Sequence, residues 1–112
     1  MKEYKYPAEY AREKLKFTRP AFYSIIGRGH VRAEGPVNDR WVYLPFELVP
    51  GEEYYTTPEA ADMLGYVRMY ISHACAGKSS LSFRINAVKF GGDYRIPGSE
   101  IKRILEERHA DK

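Results

Sequence analysis

The chain has 112 residues, 44% hydrophobic and 29% charged, with a net charge of +3 and a pI near 9.0. That length allows one or two very small domains, and the apolar content suffices for a packed core. No apolar run approaches the roughly 18 residues of a membrane span, no secretory signal is seen, and a single cysteine excludes an internal disulfide framework, so a cytoplasmic protein is expected.

In chain order, Tyr6-Pro7 is predicted to open a first helix, because proline is tolerated in the first turn. Ala11 and Leu15 form its inner stripe, and Lys16-Phe17 makes a turn. Thr18 is a good cap for a second helix, with Pro20 in the opening turn where its missing donor costs little. Phe22, Ile25 and Ile26 then point inward, while Arg19, Pro20, Tyr23, Ser24 and Gly27 point outward. Gly29 ends this helix. Residues 30–33 can form a strand, 34–39 a tip and 40–44 a returning strand closed by Pro45. Residues 46–49 make a short helical turn, and Pro50-Gly51-Glu52-Glu53 reads as a linker.

The second half repeats this order. Thr56-x-x-Glu59 has the spacing of a capping box, and Thr57-Pro58 is a competing cap. Ala60, Ala61 and Leu64 make a narrow stripe of small residues that lets another helix approach, and Gly65 ends the helix. A second helix fits residues 68–76, with Ile71, Ala74 and Cys75 inward and Arg68, Met69, Ser72 and His73 outward. The connecting turn has the length of a helix-turn-helix. Leu81, Phe83 and Ile85 then alternate with polar residues as a half-buried strand does. Residues 88–90 and 94–96 flank Gly91-Gly92-Asp93, a hairpin signal, and Pro97 closes it. Ser99 can cap a last helix with Ile101, Ile104, Leu105 and Arg108 on one face.

Shifting the second half back by 49 positions sets Ala60 on Ala11, Leu64 on Leu15, Arg68 on Arg19 and Ile71 on Phe22. The expected fold is therefore α+β, mainly α: two tandem modules, residues 1–50 and 51–112, each a helix pair followed by a two-stranded wing, with a C-terminal helix. Modules of this size lie near the lower limit for independent folding, so shared apolar surface is expected, with Tyr4, Tyr6, Tyr10, Trp41, Tyr43, Phe46, Tyr54 and Tyr55 as candidates.

One family is visible in the second half. Thr57-Pro58-Glu59-Ala60-Ala61-x-x-Leu64-Gly65, Arg68 four residues past Leu64, Gly77, and then Gly91-Gly92-x-Tyr94-Arg95-Ile96-Pro97-x-Ser99-Glu100-Ile101 resemble the excisionase-like winged helix-turn-helix, a relative of the MerR-type DNA-binding domain. The resemblance covers residues 55–105, and departs from the family at Val67, where Ser or Thr usually caps the second helix. It implies sequence-specific binding of double-stranded DNA, the second helix in the major groove and the wing on the backbone or minor groove. It brings no catalytic residues and no cofactor. The implied roles are transcriptional regulation or excisionase-like direction of recombination in a prokaryote, phage or mobile element.

Charge distribution agrees with two basic edges. Residues 14–32 carry five cations and no acid, and residues 64–92 carry four cations and no acid. Residues 1–50 hold nine cations against six acids, whereas residues 51–112 hold nine against nine. The DNA-facing candidates are Arg19, Pro20, Tyr23, Ser24, Arg28 and Arg32 in the first module, with Asn38 and Arg40 in its wing. In the second they are Arg68, Met69, Ser72, His73, Lys78 and Arg84, with Lys89 and Arg95 in the wing. Arginines at the start of a recognition helix can fork onto guanine or grip a phosphate. The competing class is a protein-interaction module that binds a recombinase, polymerase or packaging partner. The chain could work as a monomeric pseudo-dimer or as a homodimer. Ala76-Gly77-Lys78-Ser79 imitates a phosphate loop, but Ser72 stands where its first glycine belongs. His30, His73, His109 and Cys75 lack metal-ligand spacing, and no Ser/His/Asp grouping proposes catalysis.

Overall fold

In the computed structural model, residues 2–77 and 84–110 are described. They form an α+β structure with five α-helices and two three-stranded antiparallel sheets. The chain divides into two compact units, Met1–Gly51 with Phe90–Gly92, and Glu52–Lys89 with Asp93–Lys112. No helix among the described residues is long and apolar enough to cross a membrane.

The first unit runs β1 (Tyr4–Pro7), α1 (Ala8–Lys14), α2 (Arg19–Gly27), β2 (Arg32–Glu34), a 3-10 turn (Val37–Asp39) and β3 (Trp41–Leu44). Two expectations need correction here. Tyr6-Pro7 does not lie within the helix: both lie in β1, which pairs antiparallel with β3 from Tyr4↔Leu44 to Pro7↔Trp41, and Pro7 is the N-cap of α1, which begins at Ala8. A proline at the end of an edge strand loses no ladder bond that it could have donated. Residues 46–49 form no helical turn; instead the Leu48 N–H donates to the Tyr6 hydroxyl at 2.8 Å, which ties this segment down.

Thr18 caps α2 as expected, its side chain accepting from the Ala21 N–H, with Pro20 in the first turn. The helix buries Phe22 and Ile25. Phe22 is fully buried, and its ring stacks on Phe90, which belongs to this unit, at 4.9 Å and 9°. Phe17 closes the same aromatic cluster at 5.2 Å from Phe90. Val42 and Leu44 from β3 complete the core, while Trp41 and Tyr43 alternate to the other sheet face.

The second unit runs β4 (Tyr54–Tyr55), α3 (Thr57–Leu64), α4 (Arg68–Ala76), β5 (Val88–Phe90), β6 (Asp93–Pro97) and α5 (Gly98–Ala110), Phe90 being counted with the first. Here the capping box forms in full: the Thr56 side chain accepts from Glu59 N, and the Glu59 carboxylate from Thr56 N at 2.9 Å. Gly65 leaves α3 in the left-handed region at φ 74°. Val67 precedes α4 with no side-chain cap. Ala60, Ala61, Leu64, Ile71, Ala74, Ile96, Ile101 and Ile104 form one buried cluster with Ile85. The expected strand over Leu81 and Phe83 lies outside the described residues, and residues 84–87 are not strand. The last helix begins two residues earlier than a Ser99 cap implies, and its first turn is satisfied by Glu52 and Glu53: the Glu52 Oε1 accepts from Ser99 N at 2.9 Å, and the Glu53 carbonyl accepts from Gly98 N at 2.8 Å.

Each unit thus has the order strand, helix, helix, strand, strand, with the returning strand central in the sheet. The third strand of each sheet was absent from the sequence reading, which had two-stranded wings. Both nine-residue helices, Arg19–Gly27 and Arg68–Ala76, match end to end under the shift of 49 positions.

Candidate nucleic-acid interface

The opening turn of α2 places Arg19 beside the Thr18 cap, with its side chain 72% exposed. Its Nε donates to Glu9 Oε1 at 3.1 Å. The same carboxylate accepts from Arg12 Nε at 3.0 Å, and its other oxygen accepts from the Tyr23 hydroxyl at 2.8 Å. Tyr23 is therefore half-buried, engaged with α1, rather than projecting outward. One helical turn above Arg19, its ring leans edge-on against Phe22 and its hydroxyl meets the α1 carboxylate. The Tyr23 hydroxyl, then the Arg12 and Arg19 guanidiniums, hold the Glu9 carboxyl below its ordinary range. Burial, reinforced by Glu9, pushes the Tyr23 phenol up.

Pro20 and Ser24 are exposed on the same helix. Arg28 follows α2, and its Nε donates to the Ser24 carbonyl at 3.4 Å. The Arg32 guanidinium on β2 sits over the Tyr43 ring, 3.8 Å from its centre, and pairs with Glu3 at 3.5 Å. Asn38 is exposed in the 3-10 turn, and Arg40 is half-buried, with its Nε donating to the Gly35 carbonyl at 3.2 Å.

In the second unit Arg68 opens α4 and is exposed, and among the described residues its guanidinium has no hydrogen-bond or ion-pair partner. It is flanked by Val67 at 71% and Met69 at 69% exposure. His73 and Arg84 are exposed, and Ser72 is half-buried. The Lys89 ammonium sits 5.6 Å from the Tyr94 ring centre. Lys78 lies outside the described residues. Arg95 requires a correction: it is 8% exposed, its Nη1 donates to the Tyr94 carbonyl at 2.9 Å, and burial lowers its pKa. Two consecutive β6 residues, Arg95 and Ile96, are buried, so both faces of the strand are covered there. Arg95 is thus packed into the fold and does not project from the wing as expected.

Sequence reasoning missed Glu9 and Arg12. Their separation of three residues on α1 was a readable ion-pair signal. The convergence of Arg19 and Tyr23 on Glu9, across separations of 10 and 14 residues, was not. The set offers donors and positive charge but no activated nucleophile. Among the described residues no group of His, Cys, Asp or Glu could hold a metal ion.

The chain matches no protein-family profile, no curated protein and no solved structure.

Proposed function

We propose that the chain binds double-stranded DNA as a tandem pair of winged helix-turn-helix modules, with α2 and α4 as the two reading helices. One observation carries this reading. The first residue of each nine-residue helix is a solvent-exposed arginine, Arg19 or Arg68, at matching positions 49 apart. Neither helix contains an acidic residue. A guanidinium beside the positive end of a helix favours phosphate and can fork onto guanine O6 and N7. Two modules in one chain gain affinity through effective concentration, each adding phosphate contacts that release counterions. Regulation of transcription and direction of recombination both use such occupancy without chemistry.

The test is binding of the full chain to duplexes selected from a random pool, at fixed salt. Arg19→Ala and Arg68→Ala, made separately, are expected to weaken binding by about 1–3 kcal/mol where a base contact is lost. If neither does, α2 and α4 are not reading helices. A second reading draws on the exposed Val67 and Met69 beside Arg68: an apolar strip of this kind suits a protein partner such as a recombinase or polymerase. Failure to be retained on duplex DNA even at low salt would favour that reading.

A further inference from the structure

We propose that Arg12, Arg19 and Tyr23 form a phosphate-binding site on the first unit, and that the Glu9 carboxylate is the internal stand-in which an incoming phosphate displaces. That the phosphate belongs to a DNA backbone rests on the reading above; the site itself does not.

Three donors from two helices converge on one carboxylate: Arg12 Nε at 3.0 Å, Arg19 Nε at 3.1 Å and the Tyr23 hydroxyl at 2.8 Å. The donors are better anchored than the acceptor. The Arg12 side chain is only 16% exposed, and its Nη1 is tied to the Phe17 carbonyl at 2.9 Å. Its Nη2 lies 3.5 Å from Glu13. Tyr23 is half-buried with its ring against Phe22. Glu9, in contrast, is 43% exposed, and a rotamer change carries its carboxylate into water. Of the three bonds, the Arg19–Glu9 pair is exposed and contributes little net stability; the part-buried bonds from Arg12 and Tyr23 are the ones a phosphate has to match. A phosphate offers the same donors more charge and more acceptor oxygens. Charge-assisted bonds to it replace those to Glu9 without moving the fold.

The second unit supplies an internal contrast. Under the same shift, Glu9, Arg12, Arg19 and Tyr23 fall on Pro58, Ala61, Arg68 and Ser72. Only the arginine is kept, and the stand-in and its cradle are features of the first unit alone.

The experiment compares the full chain with Glu9→Ala, Glu9→Gln and Asp62→Ala, the last removing an exposed acid from α3 of the second unit. Thermal unfolding is followed against inorganic phosphate, with chloride holding ionic strength constant; duplex binding is then measured across a salt series. Phosphate should raise the unfolding midpoint of both Glu9 variants more than that of the wild type. Duplex affinity of Glu9→Ala should rise about fivefold, with a salt slope steeper by about one. Adding Arg19→Ala to Glu9→Ala should remove both gains. Glu9 variants that respond to phosphate no more than the wild type overturn the site. Equal gains in Asp62→Ala also overturn it, because net charge would then explain them. Phosphate stabilising Glu9→Ala while no variant binds duplex supports the site and ends the DNA reading instead.

Discussion

Lys16 and Gly65 stand 49 positions apart, in the turn between the first two helices of each unit, and both have a left-handed backbone, at φ 59° and 74°. Lys16 is the single non-glycine residue at positive φ among the described residues. A Cβ added at Gly65 would meet nothing within 4 Å, so Gly65→Ala is a backbone perturbation free of clashes. The left-handed conformation costs an alanine about 1–2 kcal/mol. The lowered entropy of the unfolded chain returns about 0.4–1 kcal/mol. The net loss is about 0.5–1 kcal/mol. Lys16→Gly reverses the same terms at an exposed side chain and should gain about as much. With a urea slope of about 1–1.5 kcal/mol per molar, each midpoint moves by about 0.5 M, in opposite directions. Trp41, the sole tryptophan, reports on the first unit by fluorescence, and far-UV circular dichroism follows the whole chain. A neutral or stabilising Gly65→Ala, or a destabilising Lys16→Gly, would refute the reasoning.

Phe22→Ala should cost about 3–5 kcal/mol, because a fully buried ring stacked on Phe90 is lost; urea unfolding read through Trp41 that moves by less than about 1 kcal/mol would contradict this packing. Glu100 accepts from Arg103 and from Asn86 N, and these bonds, Arg103 first, lower its pKa from the ordinary 4.5. Its contribution to stability is therefore complete above the unfolded pKa and is lost as pH falls through the lower, folded value. In unfolding titrations from neutral to acid pH, Glu100→Gln should show a shallower acid decline than the wild type, and an unchanged decline would count against it. Burial pushes the Cys75 thiol up to about 11 from 9.0. Thiolate should then be about 100-fold scarcer than in the unfolded chain near neutral pH, and alkylation slower by a similar factor; equal rates in buffer and in urea would sink the point.

Where a local signal decides an element, the sequence was readable. Thr18 with Pro20, the Thr56–Glu59 box and Gly65 are caps whose hydrogen bonds span a few residues, and α3 has the bounds they imply. The strands β1 and β4 were illegible for the opposite reason. Tyr4 pairs with Leu44 and Tyr54 with Pro97, so their ladders depend on partners some 40 residues away. Tyr6-Pro7 also imitates a helix start. Arg95 misled because alternation puts a residue on one face but does not say that both faces are covered. Among site residues, exposure of Arg19 and Arg68 followed from the inward stripes of their helices; the occupancy of Arg19 by Glu9 did not, because α1 supplies the carboxylate from ten residues upstream.

That occupancy reverses an argument from charge alone. The first half carries the positive excess, nine cations against six acids, and would be ranked the better DNA binder. Yet its leading arginine already holds a carboxylate, while Arg68, in the half of balanced charge, makes no ion pair with a described residue. On the DNA-binding reading, a duplex meets Arg68 with no rearrangement, but reaches Arg19 by exchanging Glu9 for a phosphate. Two arginines at matching positions are then unequal: Arg68→Ala should weaken duplex binding more than Arg19→Ala in the wild-type background. In Glu9→Ala, where the exchange is no longer needed, the Arg19 effect should grow toward that of Arg68. Binding of a selected duplex by all five chains at one salt concentration measures the difference. Equal losses for the two arginines in the wild type, or an Arg19 effect that ignores Glu9, would show that the carboxylate does not stand between α2 and its ligand.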